Sequence, residues 1–176
     1  MDKIVFFDRD GVINKEVNYL HTIKDFEFID KEFLSFKHLK NLGYKFVVIT
    51  NQSGIGRGKY TKEDFNILND WMIDQFKKYD IIIEAVYYCP HHPDFTGDCE
   101  CRKPNIGMIK SASKILDIDY NNSWLVGDKD SDIKTAINAG IKNTIQVRSG
   151  HSFDELRSKA DYIIDSIIDI PSIIKQ

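Results

Sequence analysis

Lys3-Ile4-Val5-Phe6-Phe7-Asp8-Arg9-Asp10-Gly11 opens the chain with an unbroken apolar run that stops abruptly on charge. A short run of β-branched and aromatic residues without polar alternation reads as a strand buried on both faces. Similar runs recur at 46–50, 85–89, 123–126, 144–147 and 162–164. Between them lie helical patterns. Residues 31–42 end at Gly43, and 61–79 place Phe65, Leu68, Met72, Phe76 and Tyr79 at helical spacing behind a Thr61/Asp64 capping signal. Further helices are expected at 106–116, at 131–139 closed by Gly140, at 153–159 and near the C-terminus.

Strands alternating with helices imply right-handed crossovers. The predicted fold is α/β: a Rossmann-like three-layer α/β/α arrangement with a mostly parallel central sheet, forming one domain over residues 1–176. In such sheets ligands gather at the carboxyl ends of the strands. Two connections leaving that edge, 11–30 and 90–105, are longer than usual, and the second shows no helical or strand pattern of its own. Both are candidate walls for a substrate.

Composition narrows the classes of function. The 176 residues are 42% hydrophobic, enough for a core without disulfide staples. A net charge of -3 and a pI near 5.9 provide no global field for nucleic acid or an anionic membrane. The expected partner is a small molecule, with no nucleic acid and no membrane. Without a spanning segment or a cleavage-site pattern, the expected location is cytoplasmic and the expected state a monomer.

Asp8 and Asp10 lie two apart along an extended segment and so point the same way. Paired carboxylates repel unless a cation lies between them, and hard oxygen ligands favour Mg²⁺. Asp128, after the strand ending in Val126-Gly127, supplies a third carboxylate, and Asp132 is near enough in sequence to stand behind it. An isolated Asp-x-Asp would be only a solvated strand end. Its order with Thr50-Asn51 after the second strand, Lys103 before Pro104 and Gly127-Asp128-Lys129 is far more specific. A phosphate dianion approaching Asp8 needs its charge offset, and Mg²⁺ with Lys103 provides that.

Cys89, Cys99 and Cys101, with His91 and His92, fall in one short window. In a reducing compartment such clustering favours a metal over disulfides. Three thiolates and one imidazole close a tetrahedral Zn²⁺ shell with no vacant position, hence a structural site. Spacing alone does not choose between the two histidines.

These pieces resemble the four motifs of the haloacid dehalogenase superfamily of phosphohydrolases. That resemblance makes Asp8 the nucleophile, which would form an aspartyl-phosphate, and Asp10 the general acid and base. It places Mg²⁺ on Asp8, the backbone carbonyl of Asp10 and Asp128, with Thr50 and Lys103 on the phosphoryl oxygens. The segments 87–93, 99–104, 50–55 and 57–59 are similar, more narrowly, to D-glycero-D-manno-heptose 1,7-bisphosphate phosphatases, and this likeness spans nearly the whole chain. It implies Zn²⁺ on Cys89, His91, Cys99 and Cys101. Substrate contacts would come from Glu16, Val17, Asn18 and Tyr19, from Thr50, Asn51, Gln52 and Ser53, and from Arg102, Lys103 and Lys129. Arg57 with Arg102 would form a second cationic pocket, because arginine matches phosphate in bidentate geometry.

The expected reaction is removal of the 7-phosphate during assembly of nucleotide-activated heptose for lipopolysaccharide and related surface polysaccharides. Two departures stand out: Val12 occupies a position where Thr is more usual, and the loop between His91 and Cys99 is short. About 40 residues separate the first two motifs, too few for a large cap domain, so specificity must come from loops.

Three other readings compete. Related histidinol-phosphate phosphatases share the motifs and the zinc loop. A zinc-stabilised binding module would make the acidic motifs incidental, although the negative charge argues against a nucleic-acid partner. A P-loop at 54–59 lacks both the first glycine of the motif and, at Tyr60, its hydroxyl residue.

Overall fold

The computed structural model describes residues 1–29 and 31–175. Asp30, the last position of the first expected long connection, lies outside the described residues. Six strands form one sheet: β1 (Ile4–Phe7), β2 (Lys45–Asn51), β3 (Ile83–Cys89), β4 (Trp124–Gly127), β5 (Asn143–Val147) and β6 (Tyr162–Ile164). Their order is β3-β2-β1-β4-β5-β6 and every pairing is parallel. The expectation of a mostly parallel sheet is met in full.

All four residues of β1 are wholly buried, which is why its sequence does not alternate. Val5 and Phe7 enter one core with Phe36, Phe46, Leu68, Met72 and Phe76. Ile4 and Phe6 enter the other with Val47, Ile49, Met108, Ile109 and Ala136. The first core lies under α1 (Glu32–Asn41), α3 (Lys62–Lys78) and α7 (Ile170–Ile173), and the second under α5 (Gly107–Ala112) and α6 (Asp130–Ala139). Thr61 caps α3 as expected: its hydroxyl accepts from the Asp64 N–H at 3.1 Å, and Asp64 accepts from the Thr61 N–H at 2.8 Å. Gly140 closes α6 in the left-handed conformation, with φ of +82°.

Several expected elements differ. The 153–159 helix is only a 3₁₀ turn at Glu155–Arg157. Leu156, the residue a helix would bury, is 98% exposed, and Arg148 grips both Glu155 oxygens at 2.7 and 3.0 Å. Without an apolar face to cover, a short helix has nothing to stabilise it. The 106–116 helix stops at Ala112, where Ser111 and Ser113 turn their hydroxyls back onto the carbonyls of Gly107 and Lys110. The one-turn helix α4 (Pro93–Thr96) lies within the 90–105 connection, where no helical pattern was expected, and a second one-turn helix, α2 (Ser53–Gly56), follows β2. Among the described residues no helix is long and apolar enough to cross a membrane.

The strand order reverses between β1 and β4, and a cleft opens beyond their carboxyl ends.

Candidate active site

Asp8 follows β1 and Asp128 follows β4, so the reversal of strand order sets these two carboxylates side by side. Oxygens of Asp8, Asp128 and Asp132 lie within 4.8 Å of one another, and all three residues are buried. Lys103, itself 4% exposed, places Nζ 2.9 Å from Asp8 and 2.5 Å from Asp132, and donates to the Ile49 carbonyl at 3.1 Å. Its backbone is tied to β2, since the Lys103 N–H donates to the Asn51 side chain at 3.1 Å.

The Lys103 ammonium thus pairs with two of the three carboxylates, and the surplus negative charge is buried. Burial lifts the Asp8 carboxyl to about 6, with Lys103 pulling the other way and Asp132 and Asp10 reinforcing the rise. Burial likewise raises Asp128, helped by Asp8. Burial alone would lower Lys103, yet Asp132 and Asp8 more than offset it and keep the ammonium charged. Oδ1 of Asp128 is buried without a hydrogen-bond partner among the described residues. A buried, unpaired carboxylate oxygen is costly, so this donor set fits a hard divalent cation.

Asp10 stands differently. Its carboxylate accepts from Arg9 at 3.1 Å, Asn14 at 3.0 Å and Gln52 at 2.9 Å. Arg9 is 1% exposed and also reaches the Leu20 carbonyl. Tyr60 donates to the Gln52 side-chain oxygen at 2.5 Å, which fixes the amide so that its N–H₂ faces Asp10 and the Thr50 hydroxyl. Asp10 is therefore aimed at the cleft by four other side chains.

The cleft, of about 200 Å³, gathers most of the expected residues. Asp8, Asp10, Thr50 and Lys103 form its floor; Glu16, Val17, Asn18 and Tyr19 form one wall; Asn51, Gln52, Ser53 and Arg57 form another, and Lys129 stands at the rim. Arg102 is not among the lining residues: its guanidinium donates to the His91 carbonyl at 3.2 Å.

Behind the second wall, Cys89, His91, Cys99 and Cys101 converge, with ligand atoms between 2.7 and 3.7 Å apart. A tetrahedral zinc with bonds of about 2.3 Å has edges near 3.8 Å. All five of these separations fall inside that edge, the Cys89–Cys101 pair by the most at 2.7 Å. Burial pushes the Cys89 thiol up, so ionising it requires a cation beside it. The imidazole in the cluster belongs to His91 and enters through Nδ1; His92 turns away toward Arg57. The four residues fit a closed metal shell.

Comparison with known proteins decides the family. The chain is 42% identical to D-glycero-beta-D-manno-heptose-1,7-bisphosphate 7-phosphatase of Haemophilus influenzae, over 100% of this chain and 98% of that protein. The chain belongs to the heptose-bisphosphate phosphatase family. A HAD-hydrolase-like family model matches residues 100–170. The D-glycero-alpha-D-manno-heptose-1,7-bisphosphate 7-phosphatase of Photorhabdus laumondii is 46% identical over 87% of this chain and 86% of its own length. The D,D-heptose 1,7-bisphosphate phosphatase from B. bronchiseptica shares the fold, with a TM-score of 0.81 at 23% identity over 97% and 96% of the two chains.

In this member of the heptose-bisphosphate phosphatase family the cleft holds residues that sequence reasoning missed. His151 follows β5 and donates to Asp128 from both its backbone N–H and its ring. Gly11, at φ of +81°, and Gly150 leave room for that carboxylate: a Cβ on Gly150 would lie 2.2 Å from Asp128 Oδ2. Its position just beyond a strand's carboxyl end was the available signal. Arg9, Asn14 and Tyr60 left none, because their roles depend on side chains that meet only in the fold. Glu16, beside Asp10 and 3.8 Å from His151, is raised to about 7, chiefly by burial and then by Asp10.

Proposed function

We propose that this phosphatase hydrolyses the 7-phosphate of D-glycero-D-manno-heptose 1,7-bisphosphate, a step toward nucleotide-activated heptose. The reading rests on kinship along the full chain with enzymes of that name. The observation that carries it is one oxygen of Asp8 held 2.9 Å from Lys103 at the floor of a polar cleft, with Asp10 oriented independently beside it.

Asp8 is the nucleophile: a carboxylate oxygen forms a bond to phosphorus as the bond to the sugar oxygen breaks. Asp10 donates the proton that the leaving alkoxide takes up. It then accepts one from the water that cleaves the aspartyl-phosphate, returning Asp8 and releasing phosphate. The network of Arg9, Asn14 and Gln52 keeps Asp10 off the phosphorus and pointed at the departing oxygen. Lys103 and the Thr50 hydroxyl donate to the phosphoryl oxygens. Mg²⁺ would be held by Asp8, the Asp10 carbonyl and Asp128; when bound, it supplies the charge that lets a phosphate dianion approach a carboxylate. Zn²⁺ on Cys89, His91, Cys99 and Cys101 would hold the loop that delivers Lys103.

Rates on the alpha and beta heptose 1,7-bisphosphates, histidinol phosphate and an aryl phosphate test the assignment. A kcat/KM for either heptose bisphosphate at least about a hundredfold above the other two substrates is expected. Preference for histidinol phosphate would overturn the substrate, and no turnover of any phosphate would overturn the chemistry.

A further inference from the structure

Arg57 stands in the wall of the cleft, yet nothing in its own segment fixes it. It follows the one-turn helix α2 and precedes Gly58, which has φ of +69° and open space around it. What holds the guanidinium comes from the zinc loop. Nη2 of Arg57 lies 2.7 Å from Nε2 of His92, and the guanidinium sits 5.1 Å from the ring centroid of Phe95. His92 in turn is locked by α4: its N–H donates to the Thr96 hydroxyl at 2.9 Å, and its ring packs edge-on against Phe95. The main chains are joined as well, the Gly56 N–H donating to the Pro90 carbonyl at 2.9 Å. Nε of Arg57 is buried without a hydrogen-bond partner among the described residues, so its donor set is incomplete until an acceptor oxygen enters.

We propose that His92 and Phe95 clamp Arg57 as a fixed cation for the second, non-reacting phosphate of the substrate, making the zinc loop a specificity device as well as a support for Lys103. A guanidinium on a flexible side chain loses rotamer entropy when it grips an anion. Two contacts made before any anion arrives remove much of that cost, and the Phe95 ring adds cation–π attraction. The clamp would act on binding of the remote phosphate, not on bond breaking at Asp8. His92 is a positioning residue. This inference rests on the reading of the cleft as a sugar bisphosphate site.

The test is a double-mutant cycle between His92→Ala and Arg57→Ala on the zinc-loaded enzyme, with KM and kcat measured on the heptose bisphosphate and on an aryl monophosphate. Zinc content of each variant is measured alongside. For His92→Ala, the ratio of bisphosphate KM to monophosphate KM should rise about tenfold, with kcat changing far less. Adding Arg57→Ala should worsen that ratio little beyond Arg57→Ala alone, because the two residues act through one contact. Should His92→Ala lose zinc, Phe95→Leu takes its place in the cycle with the same expectation. Additive effects in the cycle, or equal losses on both substrates, would overturn the clamp. A wild-type enzyme that turns over only the monophosphate would instead overturn the bisphosphate reading itself.

Discussion

His151 donates twice to a single oxygen of Asp128, from its backbone N–H at 2.7 Å and from Nδ1 at 2.8 Å, and leaves the other oxygen buried without a hydrogen-bond partner among the described residues. The doubly bonded oxygen fixes the carboxylate's rotation, and the unpaired one is the atom a cation would take. Groups that orient a ligating carboxylate typically change metal affinity by about ten- to a hundredfold. His151→Ala keeps the backbone donor, so a loss of about tenfold in Mg²⁺ affinity is expected, read by calorimetry on the zinc-loaded protein. His151→Asn, which retains a side-chain donor, should recover part of it. Unchanged Mg²⁺ affinity in His151→Ala would show that the ring has no part in presenting Asp128.

The buried acids make a prediction about pH. Asp8 in the folded protein titrates near 6, above the 3.8 of an unfolded chain, so folding favours its protonated form. The stability tied to that proton is present below about pH 4 and is lost as pH rises through 6, an effect on the order of 3 kcal/mol for a single group. Glu16, at about 7, extends the loss upward. A divalent cation reverses the penalty by pairing with the ionised forms. The gain in Tm on adding Mg²⁺ to zinc-loaded protein should therefore be larger at pH 7.5 than at pH 5.5. An equal gain at both values would contradict this.

Among the described residues Lys103 is the ammonium that bridges Asp8 and Asp132, with 2% of its side chain exposed. Its removal leaves buried carboxylates uncompensated, a change that typically costs about 3–5 kcal/mol. Lys103→Met is expected to lower Tm in the absence of Mg²⁺ and to reduce kcat about a thousandfold. A kcat within about threefold of wild type would remove Lys103 from the chemistry.

The zinc loop carries a stability prediction of its own. Cys101 lies two residues before Lys103, so loss of the metal should disorder both. Metal binding contributes on the order of 10 kcal/mol in small zinc sites. Cys101→Ser should lower bound zinc, reduce Tm by more than about 5 °C and abolish activity even with Mg²⁺ in excess. Full activity with no zinc bound would refute a structural role for the cluster.

Much of this was legible in the sequence because parallel strands buried on both faces leave plain apolar runs, as 3–7 does. Asp8, Asp128 and the cysteine cluster were legible because each stands at or just beyond a strand end, where a doubly wound sheet collects its ligands, and Lys103 because it precedes Pro104 beside that cluster. The 153–159 segment was not, since its apolar residues suggest a helix and only the fold shows that Leu156 has no surface to cover. His151, Tyr60 and Arg9 were hidden for a related reason. Each acts through a partner far away in the chain or pointed elsewhere by local pattern, as Tyr60 does through Gln52 on Asp10.

Rapid acid quench during the first turnover tests the central claim most directly, with the reacting phosphate of the sugar bisphosphate labelled and Mg²⁺ present. A hydroxylamine-labile label on Asp8, transient in the wild type, accumulating in Asp10→Asn and absent in Asp8→Asn, is the expected result. Turnover with no label on Asp8, or undiminished turnover by Asp8→Asn, would contradict it.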